Sequence, residues 1–198
     1  MSADLFKPAV IHRRYNSQAP SPAMESTSAP APVMSATRWQ RIFAYRVLLL
    51  LVVLVFALDQ LTKAWIAARL PFGTYPGAGG IVMIPNFFYL IHVGNTGAAW
   101  SLLTGKSTLL ALLALGTLGA IFLWRRALGL RLPIVQVSFG LLCGGILGNL
   151  VDRLRHGHVI DFIDLHFGNY IYPTFNIADS GICVGVVIFL FWSLRQPD

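Results

Sequence analysis

The chain has 198 residues, of which 56% are hydrophobic and only 12% charged, and its net charge is +7. With a mean hydropathy of +0.65, this is the composition of an integral membrane protein and excludes an ordinary soluble domain. The basic residues gather at the ends of apolar runs instead of forming one patch, which speaks for membrane topology and against a nucleic-acid partner.

Residues 1–38 are rich in Ser, Ala and Pro, as in Ser17-Gln18-Ala19-Pro20-Ser21-Pro22. Such a segment cannot bury enough apolar surface to fold, so a disordered tail is expected there. The membrane domain is expected over 39–195, with spans near 45–65, 107–124, 132–152 and 176–194. The first apolar run, opening at Val47, is too long for a signal-peptide core and has no small-x-small cleavage site, so it reads as a retained span. About 20 residues cross the hydrocarbon layer, which puts Asp59 towards the far end of this helix. Asp59 and Lys63 stand four apart, as a local ion pair or as part of a site.

From Leu70 to Lys106 the texture turns to Gly, Pro and aromatic residues. Short strands are expected at Ile81-Val82-Met83-Ile84 and Phe87-Phe88-Tyr89-Leu90-Ile91, with a turn at Gly94-Asn95-Thr96-Gly97. Residues 98–103 read as a short amphipathic helix on the membrane surface. The second span carries no charge and is followed by Arg125, Arg126 and Arg131. The third contains Gly140, Gly144, Gly145 and Gly148, spaced to let a neighbouring helix approach closely. The fourth ends before Arg195. The distribution of Lys and Arg puts both termini in the cytoplasm. Cys143 and Cys183, the only cysteines, lie inside apolar runs and read as packing residues.

Eight acids are present, and the five outside the tails are all aspartates: Asp59, Asp152, Asp161, Asp164 and Asp179. The third span leaves the membrane at Asp152 and the fourth re-enters at Asp179, with Asp161 on the connection between them. These acids therefore share one depth near the outer face, where ionisable groups are costly and read as functional. Asn149 precedes Asp152 by three residues, and Asn176 precedes Asp179 likewise, so each Asn shares a helix face with its Asp. It can orient a carboxylate or hold a substrate carbonyl. Two neighbouring carboxylates share a proton, one serving as base towards water and the other as acid. Geometry read from sequence alone leaves open which two of Asp152, Asp161 and Asp179 form the pair. A metal reading competes, because His92, His156, His158, Asp161, Asp164 and His166 offer nitrogen and oxygen ligands; no HExxH-like helical spacing supports it. A small transporter is a third reading, but no inverted repeat is evident.

Five blocks in order carry a resemblance to a known family: Asp59-Gln60-Leu61-Thr62-Lys63, Asn95-Thr96-Gly97-Ala98-Ala99-Trp100-Ser101, residues Gly144 to Arg153, Val159-Ile160-Asp161-Phe162, and Phe175-Asn176-Ile177-Ala178-Asp179-Ser180. The chain resembles signal peptidase II, the lipoprotein signal peptidase of bacteria. The resemblance implies an all-α membrane protein of four transmembrane helices with a small extracytoplasmic β-cradle and surface helix. It implies an aspartic endopeptidase of the inner membrane, with Asp161 and Asp179 catalytic and its active site near the periplasmic face. Asn95, Asn149, Arg153 and Asn176 would line the substrate groove, with Asp152, Asp59 and Lys63 supporting. The expected substrates are diacylglyceryl-modified prolipoproteins presented from membrane lipid, cut on the amino side of the lipidated cysteine. No metal or other cofactor is expected, and globomycin-type inhibitors would block the site.

Overall fold

The computed structural model describes residues 44–196; the expected tail over 1–38 lies outside the described residues. Four helices and one small sheet follow in order: α1 (Arg46–Arg69), β1 (Ile81–Ile84), β2 (Phe88–Asn95), a 3-10 turn (Ala99–Ser101), α2 (Ser107–Leu123), α3 (Pro133–His156), β3 (Val159–Phe167), β4 (Tyr170–Ile171) and α4 (Ile177–Ser193). The helices α1 and α3, of 24 residues each, are long and apolar enough to cross a membrane, while α2 and α4 are apolar helices of 17 residues.

The helix ends show why the chain is cut where it is. At the start of α1, Tyr45 supplies no side-chain cap. The carboxamide of Gln136 on α3 serves instead, accepting from Val47 N at 3.2 Å and Leu48 N at 3.3 Å, which satisfies two of the donors a helix start leaves unpaired. Leu70 is extended, as the residue before Pro71 prefers to be. Pro133 opens α3, where its missing N–H costs nothing, and Gly157 closes it with φ 75°, a left-handed cap that glycine adopts freely. Both α1 and α3 thus run about a turn beyond the expected spans, because no breaker intervenes earlier. The start of α4 is a capping box: Asn176 Oδ1 accepts from Asp179 N at 2.9 Å, and Asp179 Oδ2 accepts from Asn176 N at 3.2 Å.

The sheet has the order β1-β2-β3-β4, all antiparallel. Half of it comes from the connection between α3 and α4, where the sequence pattern predicts no strands. Asn95 closes β2, opposite Val159, so the expected turn at 94–97 begins later than Gly94. The surface helix expected over 98–103 is a single 3-10 turn. Its middle residue, Trp100, has φ 52°, and the Ala98 N–H closes the loop on the Leu102 carbonyl at 2.7 Å; a helix cannot continue through that geometry. Ile66, Leu70 and Phe162 form an apolar cluster that also takes in Leu90 and Ile177. This cluster seats the sheet on the end of α1 and beside the start of α4.

Candidate active site

Asp161 is the third residue of β3, a strand buried through its first four residues. Asp179 sits in the first turn of α4, where the unpaired N–H groups of a helix start face a negative charge. Both line one cleft of about 1010 Å³, together with Asn95, Asn149 and Arg153. Carboxamides link the two carboxylates. Asn176 Nδ2 donates to Asp161 Oδ1 at 2.7 Å, and Asn149 Nδ2 donates to Asp179 Oδ1 at 2.7 Å. The two amides also meet each other, Asn176 Nδ2 donating to Asn149 Oδ1 at 3.2 Å. Of the two roles open to these asparagines, orienting a carboxylate is the one they fill here.

Asn95 completes this layer. Because it pairs with Val159, it is the diagonal neighbour of Asp161 on the same sheet face, and its Nδ2 donates to Asp161 Oδ2 at 3.0 Å. Burial, and next the charge of Asp179, push the Asp161 carboxyl up to about 7, against the pull of its two amide donors. Arg153 reaches from α3 to the cleft rim, where its Nη2 donates to the Gly97 carbonyl at 3.0 Å.

Beneath the cleft lies a buried ionic layer. Lys63 Nζ touches Asp59 Oδ2 at 2.8 Å, Asp152 Oδ2 at 2.7 Å and Asn149 Oδ1 at 3.0 Å, which uses all three ammonium donors. Asp59 Oδ1 accepts from Ala178 N at 2.9 Å, and Asp152 Oδ2 accepts from Ile160 N at 3.1 Å. The layer therefore grips the starts of α4 and β3, the two elements that carry Asp179 and Asp161. All nine residues to which the resemblance assigns a site role come together in this assembly.

One member was missed. Gln60 Nε2 donates to Asp152 Oδ1 at 2.9 Å, Asp59 Oδ2 at 3.2 Å and the Gly148 carbonyl at 3.3 Å. Its signal was its place inside the Asp59 to Lys63 block, one residue from the buried acid. Of the histidines of the metal reading, His166 Nε2 meets Asp164 Oδ2 at 2.7 Å, His92 Nδ1 meets the Leu70 carbonyl at 2.8 Å, and His156 and His158 face each other with ring centres 6.0 Å apart. Among the described residues, no three of His, Cys, Asp and Glu stand grouped to hold an ion.

A sequence profile of the family described as signal peptidase (SPase) II matches residues 51–195. The chain belongs to the signal peptidase II family. Among similar curated proteins, the lipoprotein signal peptidase of Oleidesulfovibrio alaskensis is 42% identical over 144 residues, 70% of this chain and 88% of that protein. That of Pseudoalteromonas atlantica is 37% identical over 153 residues, 75% of this chain and 89% of that protein. A solved structure described as a bacterial membrane enzyme matches with a TM-score of 0.67 and 34% identity, covering 75% of this chain and 87% of that one. As a signal peptidase II, the chain is a peptidase, hence a hydrolase, and a bacterial membrane protein.

Proposed function

We propose that this signal peptidase II removes the signal peptide from diacylglyceryl-modified prolipoproteins by an aspartic mechanism, cutting on the amino side of the lipidated cysteine. The observation that carries the reading is the convergence of Asp161 and Asp179 on one cleft, joined through the Asn149 and Asn176 carboxamides. Asp161 holds the shared proton, in keeping with a carboxyl pushed up to about 7. Asp179 is the base, supported by its amide and backbone donors at a helix start.

The reaction then balances without further groups. Asp179 takes a proton from water as the oxygen attacks the scissile carbonyl carbon, while Asp161 gives its proton to the carbonyl oxygen. The tetrahedral diol collapses as the C–N bond breaks. Asp179 gives the proton it took from water to the leaving nitrogen, and Asp161 takes back a proton from a diol hydroxyl as the carbonyl re-forms. This restores both carboxyls and releases the signal peptide with a new C-terminal carboxyl group and the lipidated cysteine with a free amine. Arg153, at the cleft rim, is suited to a backbone carbonyl of the bound peptide.

In the membrane, α1, α2, α3 and α4 are the four spans, with α2 and α4 at the short end of the 17–25 residues that cross a bilayer. Arg46, Arg125, Arg126, Arg131 and Arg195 lie at the helix ends away from the carboxylates, which supports a topology with cytoplasmic termini and a cleft near the periplasmic face of the inner membrane. A diacylglyceryl cysteine held at that surface reaches the cleft without leaving the lipid. Globomycin-type inhibitors would occupy the same cleft, and removal of residues 1–38 would leave cleavage intact.

The deciding experiment is cleavage of a diacylglyceryl-modified prolipoprotein by the purified full chain in detergent, with and without a chelator. Wild type retains its activity under chelation. Asp161→Asn and Asp179→Asn each lose at least ~10²-fold, the scale of an acid–base contribution, and Asp152→Asn loses less. Full cleavage by Asp161→Asn would overturn the assignment of the acid; loss of wild-type activity to the chelator would return the histidines to consideration.

A further inference from the structure

The charge of the described chain is divided unevenly between the two ends of the helices. The cleft end carries Lys63, Arg69, Lys106, Arg153 and Arg155, but also all five described aspartates. The other end carries Arg46, Arg125, Arg126, Arg131 and Arg195, and among the described residues it has no acid at all. Four of these five arginines are exposed and Arg125 is half-buried. All five are arginine, whose planar fork matches phosphate and whose charge is weakly hydrated.

This end is also built as one piece. Leu130, Val135 and Phe139 form a cluster that packs Tyr45, Leu128, Phe189 and Trp192 together, bringing the start of α1, the α2–α3 turn and the end of α4 side by side. Gln136 ties the same parts by donating to the Ala44 carbonyl at 2.7 Å and the Arg131 carbonyl at 3.3 Å. In the turn, Leu130 N bonds the Arg125 carbonyl at 3.1 Å, and the Arg125 guanidinium lies 4.6 Å from the centre of the Phe122 ring. The arginines are thus mounted on a fixed platform, with the exposed indole of Trp124 at the depth where aromatic residues meet headgroups.

We propose that this end is a lipid-binding surface, on which Arg46, Arg125, Arg126, Arg131 and Arg195 hold the phosphates of anionic lipid headgroups. Basic residues clustered just outside membrane helices attract anionic lipid additively and lose that attraction within a Debye length. A zwitterionic headgroup, whose own cation offsets its phosphate, gains far less. Peptide cleavage at the opposite end takes no part in this interaction.

The test uses the full-length protein in phosphatidylcholine bilayers containing trace spin-labelled phosphatidylglycerol or spin-labelled phosphatidylcholine, reading the fraction of each label immobilised against the protein. The anionic label is preferred several-fold at low salt, and the preference shrinks at high salt. It falls towards parity in R125Q/R126Q/R131Q and persists in R69Q/K106Q/R155Q, which removes as many charges from the cleft end. Should the first triple variant misfold, R126Q/R195Q, both at exposed side chains, shows a partial loss. Equal immobilisation of the two labels in wild type overturns the proposal, as does an unchanged preference in a folded R125Q/R126Q/R131Q or R126Q/R195Q. Loss of the preference when inorganic phosphate replaces chloride at matched ionic strength also overturns it, in favour of a small-anion site.

Discussion

Asp161 receives one carboxamide N–H on each oxygen, from Asn176 at 2.7 Å and Asn95 at 3.0 Å, and still its carboxyl is pushed up to about 7, first by burial and then by the charge of Asp179. An unfolded aspartate titrates at about 3.9, so the folded chain binds this proton more tightly than the unfolded one. The stability linked to Asp161 is therefore fully present below about 4 and is lost as pH rises towards about 7. Cleavage that depends on the same proton declines as pH rises through that value. Asn95 donates to the ionised form and holds the titration down, so Asn95→Ala shifts the alkaline limb of kcat/KM to higher pH. Initial rates across pH for both proteins check this; a limb that moves down or stays put shows that a different group carries the proton. The sequence made Asp161 a candidate because the helix ends bring the aspartates to one depth. Asn95 entered only through the family resemblance, as a groove residue; its hold on Asp161 could not be read from spacing, since the diagonal pairing of the two side chains depends on the register of two strands more than sixty residues apart.

The helices α3 and α4 meet through missing side chains. A Cβ on Gly145 would run into the Ala178 carbonyl, and one on Gly148 would run into the Asp59 carboxylate and the Ala178 methyl. Gly140 and Gly144 do the same towards Leu48, Leu51, Val52 and Val55 on α1. Gly145→Ala therefore costs about 1–3 kcal/mol, the usual penalty of overpacking, because its neighbour is backbone and cannot swing aside. On α2, Gly116 and Gly119 face open space, and Gly116→Ala is neutral or gains up to ~1 kcal/mol from helix propensity. Thermal unfolding of both variants in detergent separates them; equal stability would mean that α3 and α4 can part without loss. This packing was legible because small residues repeated at helical spacing have one common physical use. The strand β3 was not, since Val159-Ile160-Asp161-Phe162 is buried on both faces and so lacks the alternation that reveals a half-exposed strand.

Across the whole molecule the elements converge on a single cation. Lys63 is 2% exposed, and Asp59 and Asp152 are 0% and 3% exposed, so one ammonium faces two carboxylates with almost no water to share the load. Through Asp59 the layer holds the Ala178 N–H of α4, through Asp152 the Ile160 N–H of β3, and through Asn149 the Asp179 carboxylate. Removing an acid would loosen one of these attachments. Removing the lysine strands both acids at once, and breaking a buried pair in this way costs about 3–5 kcal/mol because an uncompensated charge remains. Lys63→Met is accordingly the most destabilising of the substitutions in this layer. Lys63→Met/Asp59→Asn, which withdraws one of the stranded charges, regains part of the loss, with a coupling of about 0.5–3 kcal/mol between the two sites. Denaturant unfolding of the two single variants and the double variant in the same detergent measures that coupling. Additive losses would mean that Asp59 and Lys63 act separately, and that the starts of α4 and β3 are held by the surrounding apolar packing and not by this buried charge.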